Sequence, residues 1–267
     1  MILNYLKLMR LENGLIAALG FIISIFIISQ SYILNSTSIL AAVILCLIVG
    51  GGNSLNDYFD YKIDKVNKPN RPIPSGKIKR KNALYFSLFL FFISISLSLL
   101  LRTTAIIIVS FVIIILIIYA KYSKCLSFYG NIIVATLVGL IFICAGFVLE
   151  RMTATIIILS ICAALVTLSR ELIKDIEDIK GDKQAGALTL PIQIGKVKTK
   201  SLAFIFIIPA IILSLYLYFS KFFSIFYLIF ILIGNMLLIF SFTLKASKSQ
   251  KLMKISTIII LLAFLFR

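Results

Sequence analysis

Histidine is absent from all 267 residues of this chain. That removes Ser-His and Cys-His nucleophilic catalysis, His-ligated zinc and His-ligated haem together. Acidic residues are scarce, with ten Asp and Glu set against 27 Lys and Arg. The four cysteines, Cys46, Cys125, Cys144 and Cys162, have no CxxC spacing, and three of them lie in apolar runs. Thiols in that setting behave as small buried hydrophobes. The N-terminal stretch lacks a small-residue cleavage site. Lys7, Arg10 and Glu12 precede an apolar run that is followed by further such runs, so a signal peptide is not expected.

Most of what is present is apolar. Hydrophobic residues make up 61% of the chain and the mean hydropathy is +1.11, far beyond a soluble globular domain. Runs long enough to cross or nearly cross a bilayer occupy 13–29, 33–55, 83–101, 103–119, 130–148, 153–173, 201–219, 222–243 and 252–266. They predict an all-α polytopic membrane protein with nine transmembrane helices in a bundle, forming a single domain over 1–267. The longer gaps, 56–82, 120–129, 174–200 and 244–254, alternate with short ones. The net charge of +17 does not point to nucleic acid, because the basic residues fall in these gaps rather than among aromatics on a soluble face. The N-terminus and the longer gaps, with Arg170 included, hold 23 of the 27 basic residues. The positive-inside rule therefore places the N-terminus and long loops in the cytoplasm and the C-terminus outside.

Eight of the ten acids fall in two short segments. Asn56, Asp60 and Asp64 recur at i, i+4, i+8, and Glu171, Asp175, Asp178 and Asp182 at i, i+4, i+7, i+11. Each set predicts a stripe along one helix face. Stacked carboxylates repel unless cations sit between them, and Mg²⁺, bound through carboxylates and substrate phosphates, is the natural cation. Downstream of each stripe stands the same pattern, P-I-x-x-G-K-[IV]-K, at Pro72–Lys79 and Pro191–Lys198, 119 residues apart. The copies suggest duplication of a four-helix unit, with both acid segments on the cytoplasmic side.

Two such stripes over a dry helical bundle have the chemistry to hold Mg²⁺ against a diphosphate, ionise a C–O bond and house a hydrocarbon tail. Lys68, Arg71, Lys121, Lys124, Arg170 and Lys174 lie at the same membrane edge and can meet phosphate oxygens. Arg170 and Lys174, at i, i+4, form the favoured pair for a single phosphate on an acceptor, with Lys121 and Lys124 the other. Tyr58, Phe59, Tyr61, Tyr119 and Tyr122 fit either cation stabilisation or interfacial anchoring. A cation-coupled transporter is the alternative from another class, although no span carries a charge near its centre.

These motifs resemble those of a known family. Asn56-Asp57-x-x-Asp60-x-x-x-Asp64 followed by Asn70-Arg71-Pro72-Ile-Pro74-Ser75-Gly76 resembles the first signature of the UbiA superfamily of intramembrane prenyltransferases. Asp178-Ile-Lys-Gly-Asp182 followed by Ala185-Gly186-Ala-Leu-Thr189-Leu190-Pro191 resembles the second. The resemblance implies that Asn56, Asp60, Asp64, Asp178 and Asp182 carry a Mg²⁺–diphosphate, with Asp175 one turn earlier at a further metal position. Asp57, Tyr119 and Asp175 join Lys68, Arg71, Lys121, Lys124, Arg170 and Lys174 as the candidate substrate contacts. The family's Tyr-x-x-x-Lys element is approximated, with Tyr119 five residues before Lys124. The partners implied are a prenyl diphosphate donor, a lipid acceptor and membrane lipids, with no protein partner. The Met9-Arg10-Leu-Glu12-Asn13 and Gly-Gly-Asn53 segments are most similar to archaeal members that prenylate the hydroxyl of geranylgeranylglyceryl phosphate. An aromatic or quinone-precursor acceptor is the alternative within the family.

Overall fold

A backbone buried in hydrocarbon must satisfy its own N–H and C=O groups, so apolar runs of this length fold as helices. The computed structural model describes residues 2–28, 35–122, 127–220 and 223–266, all helices and turns with no strand among them. In order the helices are α1 (Ile2–Leu8), α2 (Leu11–Ile28), α3 (Ser36–Phe59), α4 (Tyr61–Asn67), α5 (Arg80–Ser98) and α6 (Thr103–Tyr122). Then come α7 (Phe128–Val148), α8 (Ala154–Gln184), α9 (Leu190–Gln193), α10 (Lys196–Phe219), α11 (Ile225–Ser241) and α12 (Ala246–Ala263). Each of the nine apolar runs lies in or largely overlaps one of these helices. Among the described residues, seven helices are long and apolar enough to cross a membrane: α2, α3, α5, α6, α7, α8 and α10. The eighth run folds as α11, apolar but only 17 residues long. The ninth forms the C-terminal part of α12, whose first half carries Lys248, Lys251 and Lys254 and so shortens its apolar stretch.

The chain divides into two compact units. One comprises 1–19, 34–130 and 180–188; the other comprises 20–33, 131–179 and 189–267. In the first, α3 is clasped by α5 and α6 through Ile44, Ile48, Leu55, Phe91, Val109, Ile113 and Ala120. Gly50, Gly51 and Gly52 make the close approach possible. A Cβ on each would lie 2.8 Å from Met9, 2.6 Å from Phe91 and 3.3 Å from Leu116, respectively. Small residues at such crossings are how helices pack where the hydrophobic effect offers no drive. The Ser87 hydroxyl reinforces the crossing by donating to the Gly51 carbonyl at 2.8 Å. The second unit uses the same device twice, with Ser160 donating to Gly139 at 2.9 Å and Ser256 to Gly234 at 2.7 Å.

The internal repeat has a backbone counterpart. Gly76 and Gly195 occupy the same place in the two copies and both have positive φ, +74° and +88°. Glycine adopts that conformation without the Cβ penalty. In the second copy α10 starts at the next residue, and in the first α5 starts four residues later.

Candidate active site

The first acid motif sits where α3 ends. Asp60 closes α3 and opens α4: its N–H donates to the Asn56 carbonyl and its own carbonyl accepts from Asp64 N–H, both at 2.8 Å. The hydrogen-bond spacing of a helix is kept while the helix itself is interrupted. The single continuous face expected for Asn56, Asp60 and Asp64 is therefore replaced by two helices sharing Asp60. Ion pairs span the break. Arg71 Nη1 donates to Asp64 Oδ2 at 2.6 Å and to Asp57 Oδ1 at 3.2 Å, so one guanidinium gathers carboxylates from both helices.

Asp57 is the hub of this network. It is 2% exposed and accepts from Arg10 Nη2 as well as Arg71. Arg10 is itself fixed by its neighbours. It links α1 to α2 with φ +49°, and the preceding Met9 carbonyl accepts from Asn53 Nδ2 at 3.0 Å. Burial pushes the Asp64 carboxyl above the usual carboxylate range; Arg71 draws it back, and Asp57 and Asp60 add to the rise. Around the motif, Arg80 lies over the Tyr58 ring at 4.5 Å and donates from Nε to the Tyr58 carbonyl at 2.9 Å. Lys65 lies over Tyr61 at 4.8 Å and Lys121 over Tyr122 at 5.1 Å. Three of the candidate aromatics thus meet cations of the protein itself. Phe59 is exposed, and Tyr119 is half-buried near the end of α6.

The second motif lies on α8, which runs without interruption through Gln184. Its 31 residues span about 46 Å at 1.5 Å per residue, against about 30 Å for a hydrocarbon core. The helix therefore continues past the expected end of its apolar run, and Glu171, Asp175, Asp178 and Asp182 share one uninterrupted helix as the spacing predicts. In the second unit, the buried Glu171 accepts from Lys174 Nζ at 2.8 Å and from Arg170 Nη2 at 3.4 Å. The basic pair expected to meet an acceptor phosphate is thus engaged with a carboxylate on its own helix. Asp175 accepts from the buried Asn131 Nδ2 at 2.8 Å. Asp178 is buried. Lys124 lies outside the described residues.

Asp182, fully buried, belongs to the first unit. The residue before it explains how that end of α8 is held. Gly181 N–H donates to Asn67 Oδ1 at 2.9 Å, and a Cβ on Gly181 would lie 2.5 Å from Asn67 Nδ2. The last residue of α4, three after Asp64, thus grips the backbone beside Asp182. Neither Asn67 nor Gly181 was among the expected site residues. A signal existed, because glycine inside a helix costs about 1 kcal/mol relative to alanine and is kept where backbone must approach closely.

The candidate donors at Asn56, Asp60, Asp64, Asp175, Asp178 and Asp182 are all oxygens, which suits a hard cation. Among the described residues no three His, Cys, Asp or Glu side chains converge on one point.

A multi-pass helical membrane protein with an acid motif on α3–α4 and another on α8 is the class these observations define. Residues 15–265 match the UbiA prenyltransferase family. The chain belongs to that family and is an intramembrane prenyltransferase, which decides between transferase and transporter. Digeranylgeranylglyceryl phosphate synthase of Methanosphaera stadtmanae is 42% identical over 268 residues, covering 97% of each chain. A solved structure from work on digeranylgeranylglyceryl phosphate synthase in membranes is 38% identical, with a TM-score of 0.72, covering 98% of this chain and 96% of that one. A UbiA homolog from Archaeoglobus fulgidus bound to GPP and Mg²⁺ shares the fold at 14% identity, with a TM-score of 0.72 and 98% of each chain covered.

Proposed function

We propose that this chain transfers a geranylgeranyl group from its diphosphate to the free hydroxyl of geranylgeranylglyceryl phosphate, making the second ether of an archaeal-type lipid. In this reading the whole of 1–267 acts as one catalytic domain, with its N-terminus and both motif loops in the cytoplasm. Asn56, Asp60 and Asp64, with Asp178 and Asp182 on α8, hold Mg²⁺ at the donor diphosphate, and Asp175 adds a further oxygen. When bound, Mg²⁺ offsets the charge that grows on the leaving oxygens as the C–O bond breaks. The protein's own part is to hold those carboxylates in place, to present cations to substrate phosphates, and to keep water from the prenyl chain behind apolar helix walls.

The observation that carries this reading is the Asn67–Gly181 hydrogen bond. It joins the helix bearing Asp64 to the backbone next to Asp182 within the first unit, which supports a shared role for those two acids. Similarity over nearly the full length to a digeranylgeranylglyceryl phosphate synthase supports the lipid acceptor. The test is to incubate the purified protein with Mg²⁺, radiolabelled geranylgeranyl diphosphate and both geranylgeranylglyceryl phosphate and 4-hydroxybenzoate. Label is expected in digeranylgeranylglyceryl phosphate. Label in the aromatic product alone would refute the lipid assignment.

A further inference from the structure

An asparagine buried in a membrane-spanning helix calls for a reason, because an amide left without partners in hydrocarbon is costly. Asn131 stands at the start of α7 and is 6% exposed. The packing of α7 on α8 decides what it faces. Asn131, Ala135 and Gly139 recur at i, i+4, i+8 and so share one face of α7. Ala135 is buried, and a Cβ on Gly139 would lie 2.9 Å from the Ser160 carbonyl oxygen and 3.3 Å from the Ala164 side chain. Small residues on both helices thus bring them together. At the end of the same face, Asn131 Nδ2 donates to Asp175 Oδ2 at 2.8 Å. The whole contact lies within the second unit.

Two carboxylates on this stretch of α8 are held in different ways. Glu171 accepts from Lys174 and Arg170, whose charges offset its own. Asp175, one turn on, accepts from a neutral amide, which fixes the place of an oxygen and adds no charge. Asn131 is buried and Asp175 half-buried, so the amide grips the carboxylate from the protein side. Packing alone does not ask for this chemistry. The crossing already has an interhelical bond, from Ser160 to the Gly139 carbonyl, and a leucine has the volume to fill the place of Asn131. Hydrogen-bond partners of metal-ligating carboxylates orient them, and losing one typically costs about 10- to 100-fold in metal affinity or activity.

We propose that Asn131 is a positioning residue for the donor site, setting the direction in which Asp175 presents its carboxylate to Mg²⁺. The inference rests on the reading above in which Asp175 adds an oxygen to that site. Asn131 itself touches neither metal nor substrate.

The test uses the full-length protein in nanodiscs with geranylgeranyl diphosphate and no acceptor. Mn²⁺ binding is read by electron paramagnetic resonance, with Tm measured alongside. Asn131→Leu, which keeps the volume and removes the amide, is expected to weaken Mn²⁺ binding about tenfold. Asn131→Ser, too short to reach Asp175, should do the same and serves if the leucine variant folds poorly. Asn131→Gln keeps the amide and should fall between wild type and Asn131→Leu. Asp175→Asn is expected to weaken binding at least as much, and adding Asn131→Leu to it should cost little more, because both changes act on one carboxylate. Unchanged Mn²⁺ binding in Asn131→Leu and Asn131→Ser, whatever happens to Tm, marks a packing contact and overturns the proposal while Asp175 keeps its role. Strictly additive losses also overturn it. Unchanged binding in Asp175→Asn overturns the Asp175 reading and the proposal together.

Discussion

Asp57 shows how one carboxylate can organise the cations around it. It is buried, yet two guanidiniums about a fifth exposed converge on it. Removing its charge takes the ion-pair partner from Arg10 and leaves Arg71 with Asp64, and loss of one partner from a buried ion pair costs about 3–5 kcal/mol. The partial exposure of the arginines puts Asp57→Asn near the lower end, about 3 kcal/mol. A clear fall in Tm is therefore expected, together with a loss of turnover, and an unchanged Tm would show that the network contributes nothing. Asp60→Asn and Asp182→Asn should behave differently. Each is expected to retain its fold by circular dichroism and to lose about two or more orders of magnitude in kcat, the scale for removing transition-state charge stabilisation. The acids themselves are legible in the sequence because so few exist and they recur at helical spacing. The hub role of Asp57 is not, because its partner Arg10 lies 47 residues away, although its i, i+3, i+7 spacing to Asp60 and Asp64 keeps it close to their face.

At the level of elements, the second motif keeps its expected geometry and the first does not. Nothing in α8 competes with its own helix, so four acids stay on one face. The first motif is interrupted at Asp60, and Asp57 and Asp64 on either side of the break share Arg71. The contact between α4 and α8 is open to a clean test. Gly181→Ala gains up to about 1 kcal/mol of helix propensity but drives its Cβ into Asn67. The variant is expected to keep its Tm within a few degrees while kcat/KM falls about tenfold. Asn67→Ala should lose a similar amount, and the double variant little more than either, because both remove one shared contact. Strictly additive losses would mean that Asn67 and Gly181 act independently. The repeated P-I-x-x-G-K pattern is legible in the residues alone, and the positive φ of Gly76 and Gly195 supplies its physical content. The lengths of the turns that follow the two glycines are not legible, since nothing local dictates where α5 and α10 begin.

Across the whole molecule, hydropathy and charge locate the spans and predict their sense. The uncertain cases, α11 and α12, are those in which a short run or three lysines weaken the apolar signal. In a cysteine-free background, single cysteines at Lys68 and Lys183 should label from the cytoplasmic side and those at Arg102 and Arg151 from the other. Labelling of Lys68 and Lys183 from opposite faces would mean that the two motifs cannot serve one substrate. The central claim is that both acid motifs act on a single Mg²⁺-dependent diphosphate. Calorimetric titration of geranylgeranyl diphosphate into wild type, Asp60→Asn and Asp182→Asn, each with Mg²⁺ and with EDTA, tests it most directly. Wild-type binding should be lost in EDTA, and Mg²⁺-supported binding should be at least about tenfold weaker in each variant, a loss of about 1.4 kcal/mol or more. Affinity that survives EDTA, or that depends on only one of the two aspartates, would contradict the claim.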